Sequence, residues 1–135
     1  MTPREQTLAQ NCLRASETNT MTFPQIVAAL MEGGFESYHV DFRRSVAVYH
    51  HTSGESIELP THRTEAAIAE VLDTGALEAA IREAQNLVPD YSYKGFCLKA
   101  KAAGCAGYMV SFIGRRAVYF GRDGAVHTEH FPHQD

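Results

Sequence analysis

The feature that most constrains the fold of this chain is an internal repeat. Sliding the sequence along itself by 70 positions, without a gap, lays Gly34 on Gly104, Tyr38 on Tyr108, Val40 on Val110 and Phe42 on Phe112. Ala47, Val48, Tyr49 and Gly54 then fall on Ala117, Val118, Tyr119 and Gly124. These are eight identities over the 21 positions from 34 to 54, against roughly one or two expected by chance at ordinary residue frequencies. Two copies are too few for a solenoid, so each must bury its apolar face against the other. The expectation is an α+β fold: two tandem helix-plus-three-strand repeats, related by a pseudo-two-fold axis and joined by helices, with an antiparallel sheet that carries the helices on one face.

Each copy opens on a helix signal. Thr22 followed by Phe23, Pro24 and Gln25 is a capping box with proline in the first turn. Phe23, Ile26, Val27, Leu30 and Met31 keep the spacing of one apolar stripe, which Gly33-Gly34 ends. In the second copy Ser92 caps, Tyr93, Phe96, Cys97 and Ala100 make the stripe, and Gly104 ends it. The period then drops to two, at Tyr38, Val40, Phe42 and at Tyr108, Val110, Phe112, which predicts strands. Arg44-Ser45 and Gly114-Arg115 are read as two-residue hairpin turns, Ser53-Gly54 and Asp123-Gly124 as second turns, with third strands over 55–59 and 125–131. Residues 64–72 and 76–85 carry apolar residues at helical spacing and read as a helical connector, and 7–15 as a weaker N-terminal helix.

At 135 residues the chain fits a single domain, 1–135, divided into a copy at 22–60, the connector at 61–91 and a copy at 92–132. Twelve Lys and Arg against 16 Asp and Glu leave a net charge of −4, which gives no basic footprint for phosphate neutralisation and speaks against a nucleic-acid partner. Cys12, Cys97 and Cys105 are odd in number and match neither a zinc nor a redox spacing, so a reducing, cytoplasmic setting is expected. No stretch has the run of apolar residues that a signal peptide or membrane helix requires.

Candidate chemistry rests mainly on histidines. With a two-residue turn, His39 stands across from His50 with Asp41 on the same face, a cluster able to bind metal or move protons; an ordinary solvated sheet face is the competing reading. Towards the C-terminus His127, Glu129, His130 and His133 crowd one segment. On a strand His127 and Glu129 share a face while His130 points away, so one zinc would take at most two of them without help from elsewhere. Arg115, Arg116 and Arg122 surround the second hairpin and suit a carboxylate or phosphate, or else blunt a strand edge. Tyr49 and Tyr119, with Tyr38 and Tyr108, sit at matched positions where they line either a groove between the copies or the sheet core. Cys97 and Cys105 fall on core positions rather than beside a base. Phosphate-binding and nucleophile-elbow motifs are absent, and no cofactor or metal is expected.

The run AAGCAGYMVSFIGRRAVYFGRDGAVHTEHFP over 102–132, with MTFPQIVAAL and SYHVDF in the first copy, resembles the YdfO-like family of bacterial proteins, a domain of unknown function sometimes labelled phage envelope protein. The resemblance implies a compact α+β domain and no reaction. Two functional classes remain. One is a non-enzymatic binding or interaction module that takes a small molecule or a protein in the groove between the copies, with a homodimer as a further expectation. The other is a metal-assisted or histidine-based hydrolase using His39, Asp41 and His50 or the segment from His127.

Overall fold

The computed structural model describes residues 1–132. Its elements follow the order α1 (Pro3–Thr18), α2 (Phe23–Glu32), β1 (Phe35–Asp41), β2 (Val46–His51), β3 (Ser56–Pro60), α3 (Thr74–Asn86), α4 (Tyr93–Ala102), β4 (Cys105–Ser111), β5 (Arg116–Gly121) and β6 (Val126–His130). The six strands form one antiparallel sheet in the order β3-β2-β1-β4-β5-β6. His39 pairs with Met109, its own equivalent 70 residues on, while Tyr38 faces Val110 and Val40 faces Tyr108. The pseudo-two-fold axis therefore runs between His39 and Met109.

The two halves agree in backbone detail. Tyr38 faces Tyr49 as Tyr108 faces Tyr119, and both strand pairs slip register at the same place, between Phe35 and Ser37 and between Cys105 and Gly107. Thr22 and Ser92 both cap their helices by accepting a backbone N–H three residues on. Each helix leaves through a left-handed glycine, Gly34 at φ 91° and Gly104 at φ 89°.

The repeat also reaches further than the identities show. α1 buries Ala9, Cys12 and Leu13, α3 buries Leu77, Ala80 and Ile81, and the C-caps Asn19 and Leu87 are both left-handed. These positions lie 68 residues apart rather than 70. The offset changes because Thr22 follows its preceding C-cap by three residues and Ser92 follows its own by five. Each unit is thus two helices followed by three strands.

Two sequence expectations are corrected. The hairpin turns are four residues long, closed by the Asp41–Val46 and Ser111–Arg116 pairs. Asp41 Oδ1 accepts the N–H groups of Arg43 and Arg44 at 2.9 and 3.2 Å, Ser111 Oγ accepts that of Gly114 at 2.9 Å, and Ser45 and Arg115 take the left-handed conformation. The connector is helical only in its second part: 61–73 forms no helix. Its backbone turns instead to α4, where Ala69 and Asp73 donate to the carbonyls of Lys101 and Ala103 at 3.0 and 2.7 Å. Both carbonyls lie at the end of the helix, where i+4 partners run out; that of Lys101 also accepts the Gly104 N–H at 3.0 Å.

The core lies between the helices and one sheet face. Tyr49, Tyr38, Tyr108 and Tyr119 run across it as a row, with successive ring centroids 5.3, 6.3 and 5.4 Å apart, spacings at which aromatic pairs attract. Gly104 and Gly124 have nearly the same backbone, at φ 89° and 85°, but a Cβ on Gly104 would run into the Val71 carbonyl whereas nothing lies near one on Gly124. Gly124→Ala should therefore cost only the left-handed strain, about 1–2 kcal/mol, and Gly104→Ala roughly 2 kcal/mol more. Urea midpoints of the two variants check this; equal losses would contradict it.

Candidate anion-binding cleft

The residues singled out in the sequence fall into separate places. The four-residue turn shifts the register, so His39 lies across from Val48 and His50 across from Ser37. His39 stands on the uncovered sheet face with its ring 5.8 Å from Phe120, and Asp41 is occupied by the turn. Tyr49 and Tyr119 are buried beneath the helices rather than lining a groove, and burial pushes both hydroxyls well above their ordinary range. Arg115 donates to the Pro132 carbonyl and lies over the Phe131 ring, while Arg116 donates to the Gly114 carbonyl. His127 and Glu129 do meet, at 2.9 Å, between β6 and α3. His130 pairs in register with Arg116, and His133 lies outside the described residues.

One polar chain was not visible in the sequence. His51 Nε2 lies 2.6 Å from Glu5 Oε2, and Nδ1 lies 3.0 Å from Ser53 Oγ, the order of a carboxylate, a base and a hydroxyl. Yet the neighbouring amides are committed: Ser53 N–H to His51 Nδ1, Gly54 N–H to the His51 carbonyl and Glu55 N–H to Ser53 Oγ. Acyl transfer needs donors where charge develops, so we read this chain as a pin between α1 and the β2–β3 turn.

The more productive feature is a cleft of about 600 Å³ where the two units meet. Phe42, Arg43 and Ser45 of the first hairpin form one wall, Arg63, Thr64 and Ile68 of the connector another, and Lys101 and Arg122 of the second unit complete it. Four cationic side chains line it and no Asp or Glu does. Among the described residues none of the four takes part in an ion pair, in a chain whose net charge is −4. Lys101 is 6% exposed, and its Nζ donates to Thr64 Oγ1 at 2.7 Å. Arg122 donates to the Ile68 carbonyl at 2.8 Å, which holds the connector against the sheet.

The second unit supplies an internal comparison. At the opposite end of the molecule the equivalents of Arg43, Lys101 and Arg122 are Ile113, Met31 and Thr52, with Ile113 78% and Met31 53% exposed. Only Ser45 runs the other way, its equivalent being Arg115. The fold therefore tolerates neutral residues at these three places, where Arg43, Lys101 and Arg122 are the cations of one end. Of the three arginines named from the sequence, Arg122 reaches the cleft. Arg43, Arg63, Thr64 and Lys101 were missed, although charge differences between aligned repeat positions mark Arg43 and Lys101.

Deeper in, a recess too small for a water molecule, about 10 Å³, touches His62, Tyr93 and Cys97. His62 is held by Glu17, which accepts from its backbone N–H at 2.6 Å and lies 2.7 Å from Nδ1. Burial pushes the Cys97 thiol up to about 12.

A family model described as a protein of unknown function, DUF1398, matches residues 11–130. The chain belongs to the DUF1398 family. Comparison with curated proteins found no match. The match to the DUF1398 model spans both units, from within α1 to the end of β6. No described helix is long and apolar enough to cross a membrane.

Burial sets Cys105 at about 11 as well, so at pH 8 its thiolate fraction is about 10⁻³ and that of Cys97 lower still. A chromogenic disulfide reagent should leave Cys12, Cys97 and Cys105 unmodified in the folded protein and titrate all three in denaturant. Fast labelling of native Cys97 would mean that the recess opens to solvent.

Proposed function

We propose that this DUF1398 protein is a non-enzymatic binding module for a small organic anion, held in the cleft between its two repeat units. The observation that carries the reading is Lys101: a lysine only 6% exposed, at the wall of the cleft, whose ammonium has one neutral hydroxyl as its partner among the described residues. Burying an unpaired charge is strongly unfavourable, and a ligand carboxylate or phosphate offsets that cost. Arg43, Arg63 and Arg122 add planar donor forks suited to such oxyanions. Phe42, Ala66, Ala67 and Ile68 give the ligand's carbon frame an apolar wall. Within the family, the GYMV, GRRAVYFG and HTEHFP series supports the narrower YdfO-like reading. A histidine hydrolase is the weaker reading, because His39, Asp41 and His50 face different neighbours.

The test uses the other repeat's own residues. Citrate, pyrophosphate and adenosine monophosphate should raise the melting temperature of the wild type, by roughly 4–6 °C at ten times the Kd. Lys101→Met and Arg43→Ile should fold and lose that shift. No stabilisation by any of these anions, or the same shift in Lys101→Met, would refute the reading.

A further inference from the structure

We propose that His127, Glu129 and Glu78 form a site for one divalent cation of the zinc class, separate from the cleft. His127 and Glu129 lie two residues apart on β6 and share the face turned to α3, and Glu78 of α3 supplies the third ligand that the strand alone does not provide. His127 Nε2 stands 2.9 Å from Glu129 Oε1 and 3.8 Å from Glu78 Oε1, and the three ligand atoms all lie within 4.8 Å of one another. Two donors on a tetrahedral zinc are about 3.4 Å apart, so the His127–Glu129 and His127–Glu78 separations of 2.9 and 3.8 Å each stand within about half an ångström of that spacing.

The first unit shows that the fold does not itself require polarity here. The equivalents of His127 and Glu129 are Ile57 and Leu59, which pack into the core. The second unit instead places an imidazole and a carboxylate there, with side chains only 14% and 15% exposed. Arg82 orients Glu129 by donating to Oε2 at 3.2 Å and to Oε1 at 3.3 Å; an ion on Oε1 would displace the longer of the two bonds and leave the one to Oε2. The Glu78 side chain is 47% exposed, which leaves water access for a fourth ligand. One imidazole with two carboxylates suits zinc or manganese better than a soft copper(I) ion.

The experiment is calorimetric titration of chelator-treated, untagged full chain with zinc, paired with cobalt(II) absorption as a report of coordination. The wild type and the His130→Asn/His133→Asn double variant should each bind one equivalent with the cobalt bands of a four-coordinate site. His127→Asn and the more exposed Glu78→Gln should bind at least about tenfold more weakly. Circular dichroism verifies that each variant is folded. Absence of saturable binding at millimolar zinc, or binding that survives His127→Asn and Glu78→Gln but vanishes in the double variant, overturns the site. In either case His127, Glu129 and Arg82 would be an ionic clasp between β6 and α3 and nothing more.

Discussion

Everything in this molecule depends on one antiparallel pairing, β1 with β4. Each unit alone has three strands and two helices, and its inner strand would end as an open edge. Pairing β1 with β4 removes both inner edges at once and leaves, among the described residues, only the outer edges of β3 and β6 open. It also makes the tyrosine row continuous, since Tyr38 and Tyr108 come from different units. The approach is close: a side chain on Gly107 would meet the Val40 carbonyl. The cleft is a consequence of the same junction, because the first hairpin reaches Lys101 and Arg122 only once the units share a sheet.

The backbone keeps the pseudo-symmetry closely and the side chains break it selectively. Ser45 and Arg115 differ by two degrees in φ, at 54° and 52°, yet one lines the cleft and the other covers Phe131. Chemistry concentrates where the copies diverge: three cations at one end against Ile113, Met31 and Thr52 at the other, and His127 and Glu129 against Ile57 and Leu59. A fold carries many functions on one frame, and here one chain holds two versions of that frame for comparison.

Much of the architecture was legible because it rests on local signals. The capping residues Thr22 and Ser92, the glycines Gly34 and Gly104, and the alternation from Tyr38 and Tyr108 each act within a few residues. Three things were hidden for physical reasons. Two extra residues before Ser92 displaced the first helices from the ungapped alignment, so α1 and α3 escaped recognition as equivalents. Phe42 and Phe112 continue the apolar alternation and are buried, although each lies in the turn rather than the strand, and this concealed the four-residue loops. The segment from 61 to 73 has helical spacing at Ile68 and Leu72, but the carbonyls of α4 outcompete that weak propensity. The cleft was invisible for a further reason: Arg43, Arg63, Lys101 and Arg122 come from four distant places in the chain.

The joining of the units can be measured at two amides. Phe42 N–H donates to the Ala106 carbonyl at 2.9 Å and Phe112 N–H to the Glu36 carbonyl at 3.0 Å, each across the junction. Native-state hydrogen exchange should protect both to the same free energy as the amides of the β1–β2 and β4–β5 ladders, and the two should open together with them. Exchange of Phe42 and Phe112 at the rate of an unstructured chain, with the ladders on either side still protected, would show that the two units do not form one sheet.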